Sequence, residues 1–160
     1  MNNIEKANGD LLVLNTPIQS YQTEPDEEYM SAHQKKHFAN ILTLFKQELM
    51  QGNEKARERL RHDSIIVSDI TDQASQEANR QLDLRVQGRE YRLIKKIDAA
   101  LMKLIHDQQL EQSGQKGDKY GYCDDCGGQI GLRRLEARPT ANLCFDCKTL
   151  EEMREKQRGK

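Results

Sequence analysis

Four cysteines fall in one 25-residue window: Cys123-x2-Cys126, seventeen residues, then Cys144-x2-Cys147. A Cys-x-x-Cys turn presents two thiolates on one side of a tight knuckle, and two knuckles complete a tetrahedron around Zn2+. Gly127 and Gly128 follow the first knuckle, where backbone freedom is useful. Four protein ligands leave no coordination position for water, so one structural Zn2+ per chain is expected, without hydrolytic chemistry. A pair of structural disulfides would need an oxidising compartment, and a single redox-active Cys-x-x-Cys would not need the second pair. Two rival uses of the spacing stay open. GATA-type fingers, which read DNA through a helix and a basic tail, share it. From Lys119 to Lys160, however, nine Lys/Arg stand against seven Asp/Glu, and no dense basic tail follows. The other rival is a redox switch that releases zinc on oxidation. The acidic neighbours Asp124, Asp125 and Asp146 are expected to raise the thiol pKa values and oppose it.

No Ser/His/Asp set, P-loop or dinucleotide-binding pattern occurs elsewhere, so an enzyme is not expected. His33, His37, His62 and His106 read as solvated surface histidines on charged helix faces. The 160 residues are 36% hydrophobic, 5% aromatic and 32% charged, with no Trp. That is thin for a globular core, and it points to long exposed helices. Formal net charge is −1 with a pI near 6.4, less basic than a protein living on the DNA backbone. No apolar run approaches the roughly 20 residues that span a bilayer. Nor does a basic segment followed by an apolar one open the sequence. A cytoplasmic protein with no membrane partner is expected.

The elements that carry the finger follow from periodicity. Ser31-x-x-Gln34 is a capping box ahead of apolar positions Phe38, Ile41, Leu42, Phe45, Leu49, Ala56 and Leu60. A second series runs through Ala74, Ala78, Leu82, Val86, Leu93, Ile97, Leu101 and Leu104. The first seam goes from large to small and the second from small to large. Opposite gradients fit an antiparallel hairpin whose wide ends pair at the base. Its first helix, Ser31 to Asp63, would be roughly 50 Å long. The fold class is therefore mainly α: a long antiparallel two-helix coiled coil, a small four-cysteine zinc-finger base and a C-terminal helix. The expected organisation is an N-terminal arm over 1–30, a coiled-coil hairpin over 31–112 with its tip near 64–72, a flexible joint over 113–119, the zinc finger over 120–147 and a terminal helix over 148–160. The arm holds six acids and one base, with no sustained period; its first half reads as mobile or loosely docked. Gly88, in mid-helix, marks a weak or bending point. The tip stretch "SIIVSDITD" is too apolar for an ordinary solvated turn and forms either a small self-packed cap or a contact surface.

Several stretches resemble the DksA family of bacterial RNA polymerase-binding transcription factors. They are "EEYM" at 27–30, "LIKKI" at 93–97, "YGYCDDCGGQIGLRRLEARPTANLCFDCKTL" at 120–150 and "REKQ" at 154–157. The resemblance runs from about Tyr21 to the C-terminus and is most specific in the finger. It implies a coiled coil that enters the polymerase secondary channel, destabilises open promoter complexes and makes initiation sensitive to guanosine tetraphosphate (ppGpp). Ribosomal RNA promoters would be repressed and some amino-acid biosynthesis promoters activated, with no sequence-specific DNA contact. The family's tip pattern Asp-x-x-Asp-x-Ala matches Asp69, Asp72 and Ala74, which would contact polymerase near its active site. Its ppGpp site, against the rim of the largest polymerase subunit, matches Leu93, Lys96, Arg138 and Lys148. Its zinc ligands match Cys123, Cys126, Cys144 and Cys147.

The residues carry a complementary reading. Arg85, Arg89, Arg92 and Lys96 recur at steps of four, three and four, a basic stripe on one helix face. Such a stripe is either a phosphate-binding surface, or a solvated face, or a set of partners for Glu48, Glu54 and Glu58 across the hairpin. Asp69 can cap the second helix, and Asp72 suits the positive end of its dipole. The sequence departs from familiar members at Ile70-Thr71 in the tip, in a longer joint over 106–118, and in its first 20 residues.

Overall fold

The computed structural model describes residues 10–13, 16–63, 70–113 and 119–159, with side chains for 20–58, 61, 77–107, 109 and 119–159. Two helices dominate: α1, Ala32–Asp63, and α2, Ile70–Ser113. At 1.5 Å per residue they are about 48 Å and 66 Å long. Two ion pairs fix their antiparallel register: Lys46 Nζ reaches Asp98 Oδ1 at 2.6 Å, and Lys35 Nζ lies 4.0 Å from Asp107 Oδ2.

The start of α1 is set by the capping box. The Gln34 N–H donates to Ser31 Oγ at 3.2 Å, and Gln34 Oε1 accepts from the Met30 N–H at 2.8 Å, one residue further back than a standard box. The Ser31 N–H is taken by Glu28 O. Glu27 completes the cap: its Oε1 accepts from the Ser31 hydroxyl and, at 2.5 Å, from the Tyr21 hydroxyl. These two donors hold the Glu27 carboxyl down, from the ordinary 4.5 to about 2.

The core sits at the base of the rod. Phe38, Ile41 and Leu42 of α1, Ile97 of α2 and Ile130 and Leu135 of the finger are fully buried, with Leu49, Leu104 and Tyr120 around them. Removing a side chain of this size from water contributes about 1.5–3 kcal/mol. Further out the expected seam does not close over α2: Leu82 is 59% and Val86 43% exposed, and Ala78 is exposed too. Gly88 does not interrupt α2, and open space surrounds the place its Cβ would take.

Three local elements differ from the sequence reading. The aperiodic arm carries a hairpin, β1 (Asp10–Val13) paired antiparallel with β2 (Thr16–Gln19), and β1 lies against α3. Pro17 is compatible because a two-stranded sheet has only edge strands. The finger contains a short helix, α3, Leu132–Ala137. The terminal helix, α4, runs Phe145–Arg158 and starts inside the second knuckle, so Cys147 is helical.

Candidate metal centre and the rod–finger cleft

The first knuckle is a tight hairpin. The Cys123 N–H donates to Gly128 O at 2.8 Å, the Gly127 N–H to Cys123 O at 2.9 Å, and Tyr122 bridges Gln129. Gly127 takes φ +70°, which glycine adopts without steric cost. The second knuckle is a helix start: Cys144 caps α4, its sulfur accepting from the Cys147 N–H at 3.5 Å. Arg134 braces the approach by donating from Nε to Leu143 O at 3.1 Å.

All four sulfurs lie within 4.8 Å of one another, and Cys126 Sγ is 3.9 Å from Cys144 Sγ. Zn–S bonds of about 2.3 Å in a tetrahedron require sulfurs about 3.8 Å apart. The set therefore fits Zn2+ with no site left for water. Cys126 and Cys147 are raised, in the direction the sequence suggested, and Cys123 is lowered against it. Burial pushes the Cys123 thiol up, but backbone amides of Cys126, Cys144 and Asp125 outweigh it and bring the group down to about 6. Cys147 is pushed up, first by its hydrogen bond with Cys144 and then by burial. Amides and neighbouring thiols set these shifts, not the carboxylates of Asp124, Asp125 and Asp146. A cluster that cannot hold four thiolates side by side is suited to a divalent cation that neutralises them.

The finger is seated on the rod by residues outside the cysteine pattern. The Tyr29 hydroxyl lies 2.6 Å from Gly121 O and 2.5 Å from Ile130 O, a single hydrogen facing two carbonyls. Gly121 has φ +86°, and a Cβ there would meet Met30 Cε at 2.5 Å. The Tyr120 N–H donates to Asp107 Oδ2 at 3.1 Å and its hydroxyl to Pro139 O at 2.7 Å. His37, expected on the surface, is half-buried instead. It packs on Tyr21 and Phe38, with Nε2 3.5 Å from Glu136 Oε1. Glu136 also accepts from the Tyr21 N–H at 2.6 Å. The lone "EEYM" tyrosine was the available sign of this seat; His37, Asp107 and Glu136 carry no local signature.

Between α2 and the finger lies a cleft of about 270 Å3. Lys96, Ala99 and Lys103 form the rod wall; Lys119, Tyr122, Asp124 and Thr140 to Asn142 belong to the finger side. Of the four residues matched to a nucleotide site, Lys96 lines this cleft. Leu93 packs against the basal core. Arg138 is exposed at the C-cap of α3, where its carbonyl accepts from the Ala141 N–H at 2.9 Å, next to the cleft wall. Lys148 lies on α4 and donates to Glu151 Oε2 at 2.6 Å, which raises its pKa. Arg85, Arg89, Arg92 and Lys96 are all exposed, and among the described residues none of them joins an ion pair; Glu54 faces Arg57 instead, at 4.0 Å. Asp69 lies outside the described residues. Asp72 and Ala74 fall in the first turns of α2, and their side chains are also outside the description.

Comparison with known proteins gives a consistent result. Residues 34–104 match the family described as DnaK suppressor protein DksA, N-terminal domain, and residues 118–152 match the prokaryotic dksA/traR C4-type zinc finger. The chain is 43% identical over 140 residues to the RNA polymerase-binding transcription factor DksA of Haemophilus influenzae, covering 88% of this chain and 89% of that one. Against the protein of the same name from Escherichia coli, identity is 41%, covering 88% and 85%. The solved structure of transcription factor DksA2 from Pseudomonas aeruginosa superimposes with a TM-score of 0.69 at 40% identity, covering 83% of this chain and 94% of that chain. The finger is thus of the dksA/traR C4 type, and the chain belongs to the DksA family of transcription factors.

Proposed function

We propose that this protein is a non-enzymatic regulator that binds RNA polymerase directly. Its rod enters the secondary channel, and its finger rests near the rim of the largest subunit. Open promoter complexes are destabilised, so ribosomal RNA promoters are repressed and some amino-acid biosynthesis promoters activated. Asp69, Asp72 and Ala74 are the polymerase-contacting residues at the tip. Leu93, Lys96, Arg138 and Lys148 form this chain's side of a ppGpp site shared with polymerase. Zn2+ on the four cysteines holds the finger in shape. The protein works in the cytoplasm and makes no sequence-specific DNA contact.

One observation carries the reading: the rod and finger together align over 140 residues with relatives named for binding RNA polymerase. A two-helix rod with Leu82, Leu84 and Val86 exposed suits a channel probe. No described helix is long and apolar enough to cross a membrane. The test is transcription in vitro with purified polymerase and a ribosomal RNA promoter, with and without ppGpp. The protein is expected to shorten open-complex lifetime, more so with the nucleotide. Asp72→Asn should remove the effect while thermal stability stays close to that of the wild type, because Asn and Asp are comparable near a helix start. Lys96→Ala should lose the nucleotide response. A wild-type protein that neither binds polymerase nor changes open-complex lifetime would sink the reading.

A further inference from the structure

The cleft walls are joined by Asp124, which lines the cleft. One carboxylate oxygen, Oδ1, accepts from Lys103 Nζ of the rod at 2.9 Å. The other, Oδ2, accepts from Asn142 Nδ2 at 3.2 Å, and the Asp124 N–H donates to Asn142 O at 2.9 Å. Asp124 belongs to the first knuckle and Asn142 precedes the second. The Asp124–Asn142 pair therefore ties the finger to itself, while Lys103 ties it to α2. Lys103 follows Lys96 by seven residues, two turns along the same helix face and about 10 Å away. Both line the cleft.

We propose that the Lys103–Asp124–Asn142 bridge is a positioning element: it sets the width of the rod–finger cleft and so the placement of Lys96 relative to the finger cations that share a polyphosphorylated nucleotide with it. The inference rests on the nucleotide-site reading above. Several cations must converge on one ligand, and they sit on two bodies, rod and finger. Fixing the two bodies before the ligand arrives lowers the ordering cost of binding. The bridge is partly exposed, with Lys103 31% and Asp124 44% accessible, so its effect is modest.

The experiment measures the ppGpp concentration giving half-maximal shortening of open-complex lifetime, together with zinc content and polymerase affinity without nucleotide. Lys103→Met and Asp124→Asn should each raise that concentration about two- to fivefold, with zinc content and nucleotide-free affinity unchanged. The exchange Lys103→Asp with Asp124→Lys should recover part of the loss, because the bridge re-forms with its charges reversed. If Lys103 were itself a phosphate ligand, Asp124→Asn would free it and lower the half-maximal concentration, and the exchanged pair would rescue nothing; either result overturns the proposal. Loss of zinc in the single variants would overturn it as well, by making the bridge part of the finger fold. Lys96→Ala separates the two levels. If it abolishes the response while the bridge variants match wild type, only the positioning role fails; if Lys96→Ala also matches wild type, the nucleotide reading fails with it.

Discussion

The base and the outer half of the rod are made of the same two helices but are built on different terms. At the base, Phe38, Ile41, Leu42 and Ile97 have no exposed surface, and three segments distant in sequence meet around them. Further out, Leu82, Leu84 and Val86 are 59%, 57% and 43% exposed. The base therefore carries stability, while the outer rod offers surface. On the proposed reading, a rod that enters a narrow opening has no room to thicken its leading end, and packing concentrated at the other end suits that use.

The sharpest break of this comparison is metal removal. Stripping Zn2+, or Cys126→Ser, should unfold the finger while the far-ultraviolet helix signal of α1 and α2 largely remains. Structural zinc contributes about 10–16 kcal/mol to such small domains. Equal retention of finger amide protection with and without metal would show that the finger does not depend on its sulfurs. Next in size is a matched pair of truncations. Ile97→Ala should cost about 2–5 kcal/mol in urea unfolding, and Leu82→Ala should stay within about 0.5 kcal/mol. Similar costs at the two sites would mean that the outer seam closes in solution. Smaller again is Gly88→Ala, which should stabilise by about 0.5–1 kcal/mol, since a helical residue gains a Cβ with nothing in its way. Loss of polymerase activity in that stabler variant would identify Gly88 as a needed bend.

The smallest effect concerns the cap. The folded pKa of Glu27 lies below its ordinary value, at about 2 instead of 4.5. Its contribution is thus complete above about pH 5 and is lost as pH falls toward 2. The stability difference between wild type and Glu27→Gln should be constant near neutrality and shrink as pH falls through that window. A difference independent of pH would show that the carboxylate charge plays no part in the cap.

Local regularities made much of the molecule legible. Ser31-x-x-Gln34 announced the start of α1, the apolar steps through Phe38, Ile41, Leu42 and Leu49 announced its buried face, and two Cys-x-x-Cys knuckles announced the zinc site. The same periodicity misled at Leu82 and Val86, because a period states which face is apolar and not whether anything lies opposite. The arm misled in the other direction: too short to show a period, residues 10–13 and 16–19 nevertheless pair as two strands, the first of them against α3.

By itself, then, the sequence determined the two long helices, their antiparallel pairing and the four metal ligands, because each follows from spacings of a few residues within a turn, a knuckle or a seam. Only the tertiary structure decided how the finger is seated. Tyr29 reaches Gly121 across 92 positions, and Lys103 meets Asp124 across 21. His37 is drawn from the expected surface to Glu136. Such contacts leave no local period, since the chain between the partners is free to place them anywhere until the core at Phe38, Ile97 and Leu135 closes.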